Sequence, residues 1–515
     1  MMKQLSESGK STALGIIALL LGTLFVGLFF EQGIGLNFPL YVYAATLGGL
    51  LLAYEYKRPP CTSHCVVIGS ALFFSTMVFI RASDLLSFFN VLASVLLLFI
   101  GVELFAGKQL RAFLFVDYIK TVFLPFRFIV PFFETFPAVI SFRNISGEGG
   151  RTREIIRGSF MAILAVAIFA ALLSSADVVF NKLLAHIFSL NIDERTLARL
   201  LLGTFMTAFF IGAFGFMFRK LHPAPVPSAP EKTRPLGMLE TTILFSAINM
   251  LFAVFIILQV PYLFGGTAHL IATDLTYSEY ARDGFTQLVW VAILSYFIIS
   301  FAERQIVQHE GTHSRRFMLL SGTLVCLVIA ILISAWCRLS LYEDAYGFTV
   351  IRLYSHALML WLGCALMLLS LHIWKSGRRA QFALRVFASL LIFLFSMNLL
   401  NPDAFIARQN LERYSETGKI DAEYLGGLSS DALPYTIGLM NDSRKDVRSD
   451  FAFGLYYARN YKDCRYEDCR SKHPSDSWQS IRWGAAEGER LLAPYQGMLT
   501  GEREIPIANP TSSSM

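Results

Sequence analysis

His309, Glu310, Gly311, Thr312 and His313 form an H-E-x-x-H run, the spacing at which two imidazoles one helical turn apart hold zinc while the glutamate activates a water. That chemistry needs a helix through all five residues and a third ligand. Gly311 and Thr312 are weak helix formers, and the neighbouring cytoplasmic connections supply no obvious third ligand. The run therefore reads as a solvated loop with no metal or other cofactor. A zinc metalloprotease built on His309, Glu310 and His313 is an alternative reading.

A second chemistry is carried by four polar runs, SSADVVF (174–180), DLTYSEYARDGF (274–285), RLSLYEDAYGFTVIRLYSH (338–356) and NPDAFIARQN (401–410). Thr276 followed by Glu279 is a capping box that predicts a helix start. Arg338, Tyr342, Tyr346, Thr349, Arg352 and His356 recur at helical spacing along one stripe, with Gly347 as a possible break. Guanidinium forks pair with carboxylate and phosphate, so these runs predict an outward polar recess that binds a ligand. Its candidate residues are Asp274, Tyr277, Glu279, Tyr280, Arg282, Arg338, Tyr342, Glu343, Tyr346, Arg352, Asp403 and Arg408. The competing reading is structural, because Tyr and Arg are favoured at the membrane interface and acids at helix starts.

The elements that must position these residues are apolar. Eleven stretches, at 12–30, 37–55, 63–80, 85–106, 155–176, 200–218, 239–263, 285–302, 317–336, 350–373 and 383–400, each approach the roughly 20 residues that cross about 30 Å of hydrocarbon. With the N-terminus inside, the inner connections hold 23 Lys and Arg and the outer loops 7. Basic residues in short loops resist translocation, so this split predicts a cytoplasmic N-terminus and an extracytoplasmic tail from Asn401. Mean hydropathy of +0.52 with 55% hydrophobic residues excludes a soluble globular chain. The net charge of +6 does not point to nucleic acid, since 14 of the 44 basic residues lie in the tail and most others flank helices at lipid headgroups. The first stretch exceeds a usual signal h-region and reads as a retained helix.

The fold class is thus all-α, a polytopic bundle of about 11 transmembrane helices with a small helical C-terminal extramembrane domain. Residues 1–106 hold the first four helices. Residues 107–154 form an aromatic segment on the cytoplasmic side, where Pro125, Pro131 and Pro137 forbid one long helix and charges among rings suit the headgroup plane. Two extra crossings there would keep the same topology. Residues 155–400 hold seven more helices, interrupted by the Pro-rich linker HPAPVPSAP. Residues 401–515 form the tail, disordered over its last ten or so residues. Cys464 and Cys469 are a disulfide candidate if the tail is outside, with a zinc pair as the competing reading. Gly212 and Gly215 offer close helix packing.

DLTYSEYARDGF, LYEDAYGFTVIRLY and NPDAFIARQN, in this order and spacing, resemble the recurrent motifs of a bacterial family of multi-pass membrane proteins catalogued only as a domain of unknown function. The resemblance covers roughly residues 150–450, with the N-terminal third similar only as hydrophobic helices. It implies a polytopic protein of the bacterial cytoplasmic (inner) membrane and brings no activity. The expected partners are the lipid bilayer and a small-molecule or protein ligand on the outer side, without nucleic acid. The leading functional reading is non-enzymatic: ligand or partner binding for sensing, transport or envelope assembly. A membrane enzyme acting on a lipid-linked or phosphorylated substrate, with Asp274, Glu279 and Glu343 as acid or base, is the alternative.

Overall fold

The computed structural model describes residues 2–140, 194–218, 237–264, 285–310, 315–375, 379–460 and 477–495, with the isolated positions 166, 173 and 177. Its described residues are helical and contain no strand. Hydrocarbon offers no water to satisfy backbone N–H and C=O groups, so the apolar stretches close their hydrogen bonds internally as helices. Nine described helices are long and apolar enough to cross a membrane. They are α1 (Met2–Phe29), α3 (Thr62–Ile80), α4 (Asp84–Phe105), α8 (Glu194–Phe218), α9 (Met238–Phe264), α10 (Phe285–Glu310), α11 (Arg315–Tyr346), α12 (Val350–Trp374) and α13 (Arg379–Leu400). Helix α2 (Asn37–Glu55) packs between α1 and α3 as a tenth helix of similar length. The apolar stretch at 155–176 and the Pro-rich linker lie outside the described residues.

Between α4 and the second half the chain makes α5 (Phe115–Val122), α6 (Leu124–Arg127) and α7 (Ile129–Ile140). The longest, α7, has 12 residues and reaches roughly 18 Å at 1.5 Å per residue, short of the hydrocarbon thickness. It packs on α8 and α1. Gly212 and Gly215 are the positions that permit this. A Cβ at Gly212 would lie 2.6 Å from the Phe128 carbonyl, and one at Gly215 would lie 2.3 Å from Thr135 Oγ1. Gly215 thus packs on this short helix and Gly212 on Phe128 immediately before it.

The spanning helices fall into two groups. Helices α1, α2, α3, α4 and α8 pack in a ring, each on its neighbour, and α9 to α13 enclose a separate apolar core around Leu324, Val328, Leu366 and Ile373. The groups meet where α4 touches α13. There Asn90 and Asn398, both fully buried, exchange side-chain hydrogen bonds of 2.8 and 2.7 Å. Two reciprocal amide bonds satisfy polar groups that apolar surroundings would otherwise leave costly.

The tail begins with α14 (Pro402–Thr417), where Pro402 fits the first turn because its missing N–H has no partner there anyway. It continues with α15 (Ala422–Gly426), α16 (Lys445–Asn460) and α17 (Trp483–Leu492). Asp421 caps α15 by accepting from the Tyr424 N–H at 3.0 Å. Leu425, Leu433, Leu439, Val447, Phe451 and Leu455 form the core of these helices.

Candidate functional site: a cleft under the tail

The tail docks on one end of the bundle, against the connections α1–α2, α3–α4 and α11–α12. The Leu36 N–H donates to the Ile481 carbonyl at 2.9 Å. Asp431 accepts from the Ala82 N–H at 3.0 Å, and Arg482 bonds Asp84 at 2.7 Å and the Ile34 carbonyl at 3.1 Å. The Val350 N–H donates to the Tyr424 hydroxyl at 2.8 Å. At the third connection, Gly347 adopts φ +82°, and a Cβ there would lie 2.4 Å from Asn410 Oδ1. Asn410 in turn bonds both the N–H and the carbonyl of Phe348, at 2.9 and 2.8 Å. This glycine serves both the left-handed turn and the close approach.

Between these contacts lies a cleft of about 680 Å³. Its membrane-side wall is Ala82 to Leu85 and Thr349 to Ile351, and Asp403 adds to it from the first turn of the tail. The tail supplies Tyr424, Gly426 to Ser430, Arg459 and Glu489. Arg459 and Glu489 form an ion pair. Asp403 is only 4% exposed, and its charge, with that of Arg352, acts on Tyr424. Burial is the main cause pushing the Tyr424 hydroxyl up from its ordinary value. Burial likewise pushes the Asp431 carboxyl up, against the lowering influence of the Ala82 N–H and of Arg81. The cleft therefore combines apolar walls with acids, a tyrosine hydroxyl and one guanidinium, the mixture expected of a site that orients a ligand by a few polar groups.

Of the twelve predicted site residues, Asp274, Tyr277, Glu279, Tyr280 and Arg282 lie outside the described residues, as does the capping box. Asp403 lines the cleft. Arg338, Arg352 and Arg408 are not in its described lining and are held by other partners. Arg338, 8% exposed, bonds Gln259 of α9 at 2.6 Å. The Arg352 guanidinium lies 4.1 Å from the centre of the Tyr342 ring, which itself contacts Tyr346 at 5.0 Å. Arg408 lies over Tyr435 at 5.2 Å. Glu343 is buried and faces His356, whose Nδ1 is 3.3 Å away. The predicted stripe from Arg338 to His356 is divided, because α11 ends at Tyr346 and α12 starts at Val350.

His309 and Glu310 close α10, and His313 lies outside the described residues, as do Cys464 and Cys469. Among the described residues no group of three His, Cys, Asp or Glu is arranged to hold a metal ion. The residues that sequence reasoning missed are Asp84, Tyr424, Asp431, Arg459 and Glu489. Asp431 had a weak signal, since it follows Ser429 and Ser430 and precedes Leu433-Pro434, a turn-then-helix pattern.

A bundle of apolar helices capped by a helical extramembrane unit defines a multi-pass membrane protein. The chain belongs to the family described as a domain of unknown function (DUF4153), which matches residues 68–439. The match begins within α3, well before residue 150. Neither a curated protein nor a solved structure matches the chain.

Proposed function

We propose that this protein binds a polar ligand, or a segment of a partner protein, in the cleft between its tail and the membrane helices, in the service of sensing, transport or envelope assembly. The observation that carries this reading is the cleft itself, an opening of about 680 Å³ with the buried Asp403 in its wall. Every loop that builds it belongs to the set poor in Lys and Arg, which supports an extracytoplasmic cleft with the N-terminus cytoplasmic, in the bacterial inner membrane that the family resemblance implies. Among its charged groups, Asp84 and Glu489 are each bonded to an arginine, and the charge of Asp403 acts on the Tyr424 hydroxyl. Hydroxyl and ammonium groups suit this acid-rich wall better than phosphate does.

Ala458 lines the cleft from α16, and Ala458→Trp places an indole in it. Growth of a deletion strain carrying this variant, profiled across envelope stresses, is expected to match the deletion. Phe453→Trp, at an exposed position of the same helix, is expected to match wild type. A full rescue by Ala458→Trp, at wild-type protein levels, would overturn the proposal.

A further inference from the structure

We infer that the N-terminal ring of helices holds the acyl chain of an anionic membrane lipid in a blind apolar cavity, with the lipid's head at Arg195 and Arg199. The cavity measures about 550 Å³ and lies inside the ring formed by α1, α2, α3, α4 and α8. Its lining runs from Phe38 to Leu50 on α2 and from Phe205 to Met217 on α8. Each run spans roughly 18 Å at 1.5 Å per residue, slightly more than the roughly 15 Å of one leaflet in about 30 Å of hydrocarbon.

The two ends differ. At one end Phe105, Phe128 and Met217 are 6%, 3% and 3% exposed. Arg58 seals that end by donating to the carbonyls of Phe105 and Met217 at 3.0 and 3.2 Å, which ties the last turns of α4 and α8 together. At the other end Ile34 and Phe205 are 43% and 62% exposed, so the mouth is there. The helix α8 shows the same gradient, exposed around Arg195 to Leu201 and buried from Ile211 to Met217.

Charge selects the occupant. At the mouth, the Arg199 guanidinium lies 4.9 Å over the Phe30 ring, and Arg195 stands 3.7 Å from Glu31 with both side chains at least half exposed. Two solvent-facing arginines against one glutamate favour an anionic head. The walls below are almost wholly apolar, with the Tyr41 ring packed on Phe25 and Phe210 at 5.3 and 6.1 Å. Water finds too few polar partners in such a space to stay, and close-packed interiors do not keep voids this large empty. A molecule entering among spanning helices comes from the bilayer. This site is separate from the cleft under the tail and does not depend on a ligand binding there.

Gly49 lines the cavity, and a Cβ added there would make only ordinary contacts, at 3.9 Å, with Met217 and Phe214. Gly49→Phe therefore places a ring in the space a chain would occupy. The full-length protein in mild detergent would be titrated with phosphatidylglycerol bearing a pyrene-labelled chain, and with phosphatidylcholine bearing the same chain. Wild type is expected to bind one labelled lipid and to prefer phosphatidylglycerol by about tenfold, close to 1.4 kcal/mol. Gly49→Phe is expected to lose binding of both lipids, and the pair Arg195→Glu and Arg199→Glu to lose the preference while keeping chain binding. If Gly49→Phe fails to accumulate, Ala45→Leu narrows the same cavity and carries the same expectation. Binding unchanged by the filling variant, or equal binding of the two lipids by wild type, would overturn the inference.

Discussion

Replacing Lys108 and Arg127 together with methionine is expected to destabilise the protein far more than replacing the acid they face. Glu103 ends α4 fully buried, with Lys108 Nζ at 2.8 Å, Arg127 Nη1 at 3.3 Å and the Thr121 hydroxyl at 3.0 Å. The two cations are partly exposed, at 34% and 48% of their side chains, so they return to water easily when Glu103 is lost. Glu103 has no such route. Removing one side of a buried pair costs about 3–5 kcal/mol because the remaining charge is stranded. The Lys108→Met, Arg127→Met protein should unfold at a clearly lower temperature by intrinsic fluorescence in detergent. Glu103→Gln alone should cost less, and adding Glu103→Gln to the double variant should recover most of the loss. Additive losses in the triple variant would show that the cluster is not held together by the buried charge.

The second large effect is expected at Gly454. A Cβ at this position would lie 2.1 Å from the Glu423 carbonyl oxygen and 2.9 Å from its carbon. Both are backbone atoms of α15 and its first turn, so no side chain can move aside. Overpacking of this kind costs about 1–3 kcal/mol, and more when backbone must shift. The tail core is small, and this cost falls on it directly. Gly454→Ala should make the tail from residue 401 sensitive to limited proteolysis while the membrane helices stay protected. The cleft goes with it, because Leu455, Ala458 and Arg459 line it from the same helix. Gly438→Ala, in the same unit but with nothing within 4 Å of the added Cβ, should be indistinguishable from wild type. Equal protease resistance of the Gly454→Ala and wild-type tails would contradict the packing described here.

The helices were legible in the sequence because apolar runs near 20 residues have few alternatives in a bilayer. Their ends were less so. The ninth stretch reads as finishing at 336, yet α11 continues to Tyr346, because Arg338 and Glu343 are polar residues that a hydropathy reading places in a loop. Their burial is made possible by Gln259 and His356, partners that no local pattern reveals. The same holds for Glu303, which looks like a loop residue. It is buried within α10, about two turns before the helix ends, with His372 Nε2 and Arg379 Nε each at 3.6 Å.

The cleft was legible only through Asp403 and Thr349, each of which belongs to a conspicuous polar run. Asp84 and Arg482 are 398 residues apart in the chain, and neither segment carries a chemical motif. Arginine and tyrosine drew attention in residues 338–356 by their types. Both arginines there serve local structure, one on a half-buried amide and one stacked on Tyr342. Residue type alone cannot separate a guanidinium that awaits a ligand from one that already has a protein partner, since both uses exploit the same planar fork.

If the cleft between tail and membrane helices opens to the extracytoplasmic side, its wall is reachable from outside the cell. Ser430 lines it, and Ser430→Cys, placed in a chain whose seven native cysteines are replaced by serine, gives a single thiol in that wall. In intact cells a membrane-impermeant maleimide is expected to label this protein, and the additional change Ala458→Trp is expected to suppress the labelling. Labelling that requires permeabilised cells would place the tail on the cytoplasmic side, and labelling unaffected by Ala458→Trp would mean that the cleft does not exist as described.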